Sequence, residues 1–370
     1  MNQDLALSVL DRVMGWDEEK ARREFSWLEL ISRYKYDTYR DFVAGVRFTE
    51  RLADWLQQFE QTDRTAAYEF VRNKIIYLTP AEINHLVETA YPDTMQRWLR
   101  EAIAAERKQK TYLLWSDPVS IRAYDCLLRS TLFIGLSDGA RIDTFRRANA
   151  GVISNEQVLL APEISPNKWD QVLKDLRDHF KNSNAKFKMA FLIDDFIGTG
   201  TTLLRYDDGK WRGRLPRFWE NLTSPNNLLK THFESGWKVV VHHYVATEEA
   251  LKAVEDRNVA AKGQKGDGEW FPSIDFSCGT LLKNEIRITE TNTPQFFSLM
   301  NRYYNESIQN EHTKKGGKDS IRLGYGDCSL PLILEHNTPN NSVALLWADC
   351  DGSNGQHEMR PLFRRRERHS

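Results

Sequence analysis

The chain has little cysteine. Four residues in 370 (Cys126, Cys278, Cys328, Cys350) form no CxxC pair and no short Cys/His spacing. This excludes a disulfide scaffold and a thiolate zinc site, and reads as reduced thiols in a cytoplasmic protein. No charge of either sign dominates: 51 basic and 52 acidic residues give a formal net charge of -1. The global field that marks many nucleic-acid binders is therefore missing. Long apolar runs are missing too, since no window approaches about 18 uninterrupted apolar residues, so no membrane span is expected. Met1 to Leu5 shows no basic-then-apolar leader. Internal repeats and long low-complexity tracts are absent. What remains is a soluble intracellular protein with length for two domains, or for one large domain and an appendage.

The first 110 residues have helical texture. Apolar residues recur at three and four positions in Phe25, Leu28 and Ile31, in Phe42 and Val46, and in Leu52, Trp55, Leu56 and Phe59. Thr79-Pro80-Ala81-Glu82 is a capping box with proline at the first helical position, and the helix it opens is expected to stop near Tyr91-Pro92. Charges alternate along this region, which suits packing or partner docking.

From about residue 130, short apolar runs alternate with amphipathic stretches. Thr131–Leu136, Gln157–Leu160, Met189–Ile193 and Val239–Val245 read as strands. Helices are expected over Arg141–Ala148, around Trp169 to Phe180, and over Glu248–Asp256. This is a βαβ pattern, so the fold class is α/β with a mostly parallel sheet and ligands at its carboxyl edge. An Asp208-Gly209 turn predicts a hairpin after Leu204, and Ala261–Gly268 a flexible loop.

The segment Phe191 to Thr202 carries the chemistry. An apolar strand ends in Asp194 and Asp195, which alternation sends to opposite faces. Five small residues follow, Gly198, Thr199, Gly200, Thr201 and Thr202. Small residues let several N–H groups converge on one anion, the threonine hydroxyls add donors, and a following helix would add its positive end. Carboxylates beside a phosphate site suit the hydroxyls of a ribose. A Walker loop would need a lysine after the second glycine, and a dinucleotide fingerprint a third glycine. Neither is present.

This segment resembles the signature of the phosphoribosyltransferases. The resemblance implies a type I phosphoribosyltransferase-like parallel sheet core over 111–350 with a hood or insertions, a helical N-terminal appendage over 1–110, and a basic tail over 351–370. Asp194 and Asp195 would contact the ribose hydroxyls of phosphoribosyl pyrophosphate or of a nucleotide, and Gly198 to Thr202 would hold the 5-phosphate. The loop after the earlier strand, Ser137, Asp138, Gly139 and Arg141, occupies the place of the pyrophosphate loop, although Asp138-Gly139 also reads as an ordinary turn. Magnesium would accompany the diphosphate.

The N-terminal helices, the Gly135–Ala140 loop, the hairpin, Gly324–Cys328 and His336–Asn341 further resemble a phosphoribosyltransferase-like effector family of bacterial conflict and antiphage systems, retron operons included. That resemblance implies an operon partner such as a retron reverse transcriptase with its msDNA, and leaves room for a homo-oligomer. His336, Asn337 and Asn340 either read the base or acceptor, or form a polar turn between strands Leu330–Leu334 and Val343–Leu346. Lys314–Lys318 is a mobile basic loop or a linker, and Arg364-Arg365-Arg366 with Arg368 a solvated terminus. The activities implied are phosphoribosyl transfer with pyrophosphate release, ligand sensing without catalysis, or glycosidic cleavage of nucleotides by water.

Overall fold

Apolar runs buried on both faces of a sheet become parallel strands, and here they build a five-stranded sheet. In this computed structural model the strands are β1 (Thr131–Gly135), β2 (Val158–Leu160), β3 (Phe187–Ile197), β4 (Phe233–Thr247) and β5 (Ser273–Leu282), in the order β2-β1-β3-β4-β5. All neighbours run parallel. The structure describes residues 3–43, 45–160, 164–224, 229–266, 268–311, 316, 319–352 and 356–365. The chain divides into two compact units, 83–284, which contains this sheet, and 1–82 with 285–370. The bounds differ from those expected at 110 and 350.

On one face of the sheet, Leu132, Ile134, Ala190, Leu192, Val239 and Val241 share a core with the helices Pro166–Phe180, Arg214–Thr223 and Glu248–Lys265. On the other, Phe133 stacks on Phe191 at 5.5 Å, and Tyr91 and Phe145 close on Phe133. Tyr91 is tied through its hydroxyl to Tyr124 at 2.8 Å. Between β1 and β3 the strand order reverses, which opens a crevice at the carboxyl edge. There Gly135 lies opposite Ile193, and the Leu136 N–H donates to the Ile193 carbonyl at 2.8 Å.

Several local expectations need correction. The helix capped by Thr79 does not end at Tyr91-Pro92. A π-helical turn over Ala90–Met95 accommodates the proline and the chain continues helical over Gln96–Glu106. The helix expected to give way to a loop at Ala261 runs to Lys265 and stops where Gly266 turns left-handed at φ +83°. β5 was not anticipated, because it is only partly buried along its length and interleaves polar residues. The Thr79/Glu82 capping box is present, with bonds of 2.7 and 3.2 Å. So is the hairpin, Arg205–Asp207 against Lys210–Arg212, with Asp208 and Gly209 both at positive φ.

In the other unit the helices Gln3–Met14, Glu18–Tyr34, Phe48–Gln57 and Arg64–Lys74 share one core with Pro294–Arg302 and with residues up to Phe363. Ile76–Leu78 pairs in parallel with Leu332–Leu334. The Trp55 indole donates to the Leu345 carbonyl at 2.7 Å, and Phe363 packs against Tyr36, Tyr39, Phe42, Phe48 and Tyr77. These contacts bring the two ends of the chain together, which explains the division. Among the described residues no helix is long and apolar enough to cross a membrane. Lys314, Lys315, Gly317, Lys318, Arg366 and Arg368 lie outside the described residues.

Candidate functional site

The two acidic residues at the end of the central strand separate as alternation demands. Asp194 is buried, 1% exposed. Its carboxylate accepts the Ser137 hydroxyl and pairs with the Arg214 guanidinium. The Ser137 hydroxyl, anticipated as a donor to an anion, is thus given to Asp194. Asp195 is half-buried and accepts the N–H of Phe196 at 2.8 Å. Gly139 lies directly against its carboxylate, so closely that a Cβ at that position would overlap it. The structure therefore brings together the ends of β1 and β3, joining Ser137 and Gly139 to the two aspartates. Asp138 is exposed, and its carbonyl accepts the Arg141 N–H at 3.3 Å.

Arg141 precedes its helix rather than beginning it, and is left-handed at φ 47°. A non-glycine residue held there costs about 1 kcal/mol, and such strain concentrates at functional positions. Its guanidinium donates to the Asn84 side chain at 3.3 Å, and the Tyr244 hydroxyl donates to the adjacent Ala140 carbonyl at 2.7 Å.

The Gly198–Thr202 loop shows a marked asymmetry. Every carbonyl from Gly198 to Leu204 has a donor. Gly198 accepts from the Thr247 hydroxyl at 2.7 Å, and Thr199 and Leu204 from Arg257 at 2.9 and 3.2 Å. Gly200 accepts from the N–H groups of Leu203 and Leu204, Thr201 from Arg205 at 3.2 Å, and Thr202 and Leu203 from the N–H groups of Arg214 and Leu215. Yet among the described residues the N–H groups of Thr199, Gly200 and Thr202 find no partner in the protein. In a planar trans peptide the C=O of one residue and the N–H of the next point oppositely. Pinning the carbonyls of Gly198, Thr199 and Thr201 thus turns out the N–H groups of Thr199, Gly200 and Thr202. Gly200 permits this at φ +74°, packed so closely on Val254 that a side chain there would collide. The Thr199 and Thr201 hydroxyls stand 3.0 Å apart. Backbone donors without acceptors in a row of small residues are the arrangement that anion-binding loops use.

No helix follows this loop directly, contrary to expectation. One turn closes on Gly200, the hairpin intervenes, and the next helix starts at Arg214. The loop N–H groups alone supply the positive end. Arg214, Arg257, Tyr244 and Asn84 were not singled out in the sequence, because no local pattern ties them to the loop, and Arg205 was read only as part of the hairpin. Also missed were His242 and His243 in β4, 0% and 2% exposed. Burial pushes their imidazoles down to about 4 and about 3, His243 further lowered by His242.

His336, Asn337 and Asn340 lie in the other unit. The His336 Nδ1 stands 3.5 Å from Glu335, a fully buried carboxylate paired with Arg40 at 2.7 Å. Asn337 exchanges backbone bonds with Leu334, and the Asn340 carbonyl accepts the Tyr325 N–H at 2.6 Å. Val343–Leu346 forms no strand: Ala344–Leu346 is a 3₁₀ turn. Among the described residues no three His, Cys, Asp or Glu side chains gather around a cation.

A parallel sheet of this order, an acidic strand end and a donor-only loop of small residues define a phosphoribosyltransferase-like α/β protein. A family model described as PRTase-CE matches residues 52–365. The chain belongs to that family, the phosphoribosyltransferase-like conflict effectors. No curated protein and no solved structure matches it.

Proposed function

We propose that the chain binds a phosphorylated ribose at the carboxyl edge of β1 and β3 and transfers phosphoribosyl with release of pyrophosphate, as an antiphage effector in the cytoplasm. The observation that carries this is the loop whose carbonyls are all occupied while the N–H groups of Thr199, Gly200 and Thr202 are not. Three N–H donors and the threonine hydroxyls suit a 5-phosphate, and Asp195 accepts from a ribose hydroxyl. Arg141 and Gly139 take the diphosphate. A nucleophilic acceptor bonds to the anomeric carbon, the bond from that carbon to the diphosphate oxygen breaks, and pyrophosphate leaves with the electron pair. The acceptor's proton passes to solvent. Asp195 stabilises positive charge developing on the ring. Magnesium, when bound, neutralises the diphosphate.

A second reading is favoured by one observation. Asp194 is committed to Arg214 and Ser137, which suits a sensor that binds without turnover. A thermal-shift screen of phosphoribosyl pyrophosphate, ribose 5-phosphate and common nucleotides, with and without magnesium, tests binding. A pyrophosphate-release assay then separates the two readings. Transfer requires release. Binding without release supports the sensor, free base released from nucleotides by water indicates a glycosidase, and no binding overturns both.

A further inference from the structure

We propose that Arg257 is a positioning residue which, from the helix Glu248–Lys265, sets the phosphate loop in its donor-outward form. The inference rests on the phosphate reading of that loop and names what builds it. The Arg257 Nη1 donates to the Thr199 carbonyl at 2.9 Å and to the Leu204 carbonyl at 3.2 Å. It thus ties the start of the turn to its end, across the residues whose N–H groups face outward. The Thr199 bond matters most. It fixes the peptide between Thr199 and Gly200, so it aims the Gly200 N–H away from Arg257. A 180° flip of that peptide would present a carbonyl oxygen to the anion in place of a donor. Gly200, left-handed and without a side chain, opposes such a flip weakly. The same helix face supplies Val254, against which Gly200 packs, and Thr247 caps this helix while donating to the Gly198 carbonyl. One helix therefore registers the loop at three points, two of them polar. No sequence motif joins residue 257 to residues 199 and 204, and Arg257 itself is placed on carbonyls rather than on ligand.

Arg257→Met removes the donor and keeps most of the side-chain bulk. Arg257→Lys keeps a cation with three donors at shorter reach. Two measurements on the full chain decide the matter: ribose 5-phosphate affinity by calorimetry, and amide hydrogen exchange followed by mass spectrometry. Arg257→Met is expected to weaken ribose 5-phosphate at least tenfold and to speed exchange in peptides covering 198–204, with β1 and residues 187–193 unchanged. Arg257→Lys is expected to recover part of both. If Arg257→Met does not fold, the lysine variant alone carries the test, with a smaller loss in the same segment. Unchanged affinity and exchange overturn the proposal, as does exchange raised throughout 83–284, which marks a general support of the fold. If the wild-type chain does not bind ribose 5-phosphate yet 198–204 alone loosens in the variant, the phosphate reading fails and the positioning role stands.

Discussion

Arg214 pairs with Asp194 beneath the edge of the sheet, and this pairing divides the labour of two adjacent carboxylates. Asp194 has a side chain only 2% exposed, with Arg214 at 24%. Asp194 is thereby occupied within the protein, whereas Asp195 is half-buried and lies against Gly139.

Asp194→Asn is therefore expected to destabilise the fold by about 2 kcal/mol, because it takes the counter-charge from a largely buried guanidinium. Asp195→Asn is expected to leave the melting temperature nearly unchanged and to weaken ribose 5-phosphate at least tenfold. Denaturant titration and calorimetry on the two single variants check this. Equal effects of both variants on stability would refute the division. Because Asp194 is buried, the double replacement is expected to lose stability as well as affinity.

Gly139→Ala examines the same crevice from the other wall. The backbone at Gly139 is not left-handed, so alanine is tolerated locally, but its methyl group meets the Asp195 carboxylate. Relief of such an overlap costs on the order of 1 kcal/mol and moves the acid. Ribose 5-phosphate affinity should fall about as far as in Asp195→Asn. Full affinity in Gly139→Ala would show that ligand does not need Asp195 where it stands.

The central strands were legible because apolar runs such as Thr131–Leu136 and Met189–Ile193 are buried at nearly every position, leaving no ambiguity of face. The loop was legible because Gly198 to Thr202 is an unbroken local pattern. What supports the loop was not. Arg214, Thr247 and Arg257 reach it through tertiary contacts, up to 58 residues distant in the chain, and a lone arginine on a helix looks like any solvated charge. β5 escaped because partial burial weakens its alternation. The helices before residue 82 looked like an appendage because the strand and core that complete them lie beyond residue 285.

The two buried histidines predict how stability depends on pH. His242 titrates at about 4 and His243 at about 3 in the folded protein, against 6.5 ordinarily, chiefly because burial disfavours the charged ring. Below pH 6.5 the unfolded chain takes up protons that the folded chain refuses. Stability is thus complete above about pH 6.5 and falls as pH drops toward 4 and then 3, each ring adding a slope of up to about 1.4 kcal/mol per pH unit. Replacing both with glutamine should flatten the fall in melting temperature between pH 6 and 4.5. An unaltered profile in that variant would assign the acid sensitivity to other groups.

Arg141 allows charge and backbone to be tested apart. At φ 47° arginine carries a left-handed penalty of about 1 kcal/mol that glycine does not. Glycine in turn gives the unfolded chain a similar amount of extra freedom, so Arg141→Gly should leave stability close to that of the wild type. Arg141→Ala keeps the penalty and differs from the wild type by the lost guanidinium and its bond to Asn84. If this loop holds the diphosphate, both variants lose a charge-assisted contact worth about 1.5–3 kcal/mol, a factor of roughly 10 to 100 in affinity. The loss should fall on phosphoribosyl pyrophosphate, while ribose 5-phosphate, which carries no diphosphate, should change less than about threefold, inside the usual scatter of surface substitutions. Calorimetric titration of both ligands against both variants provides the comparison. Equal losses for the two ligands would make Ser137–Arg141 a structural turn, its strain serving the packing of Tyr244 and Asn84 rather than an anion.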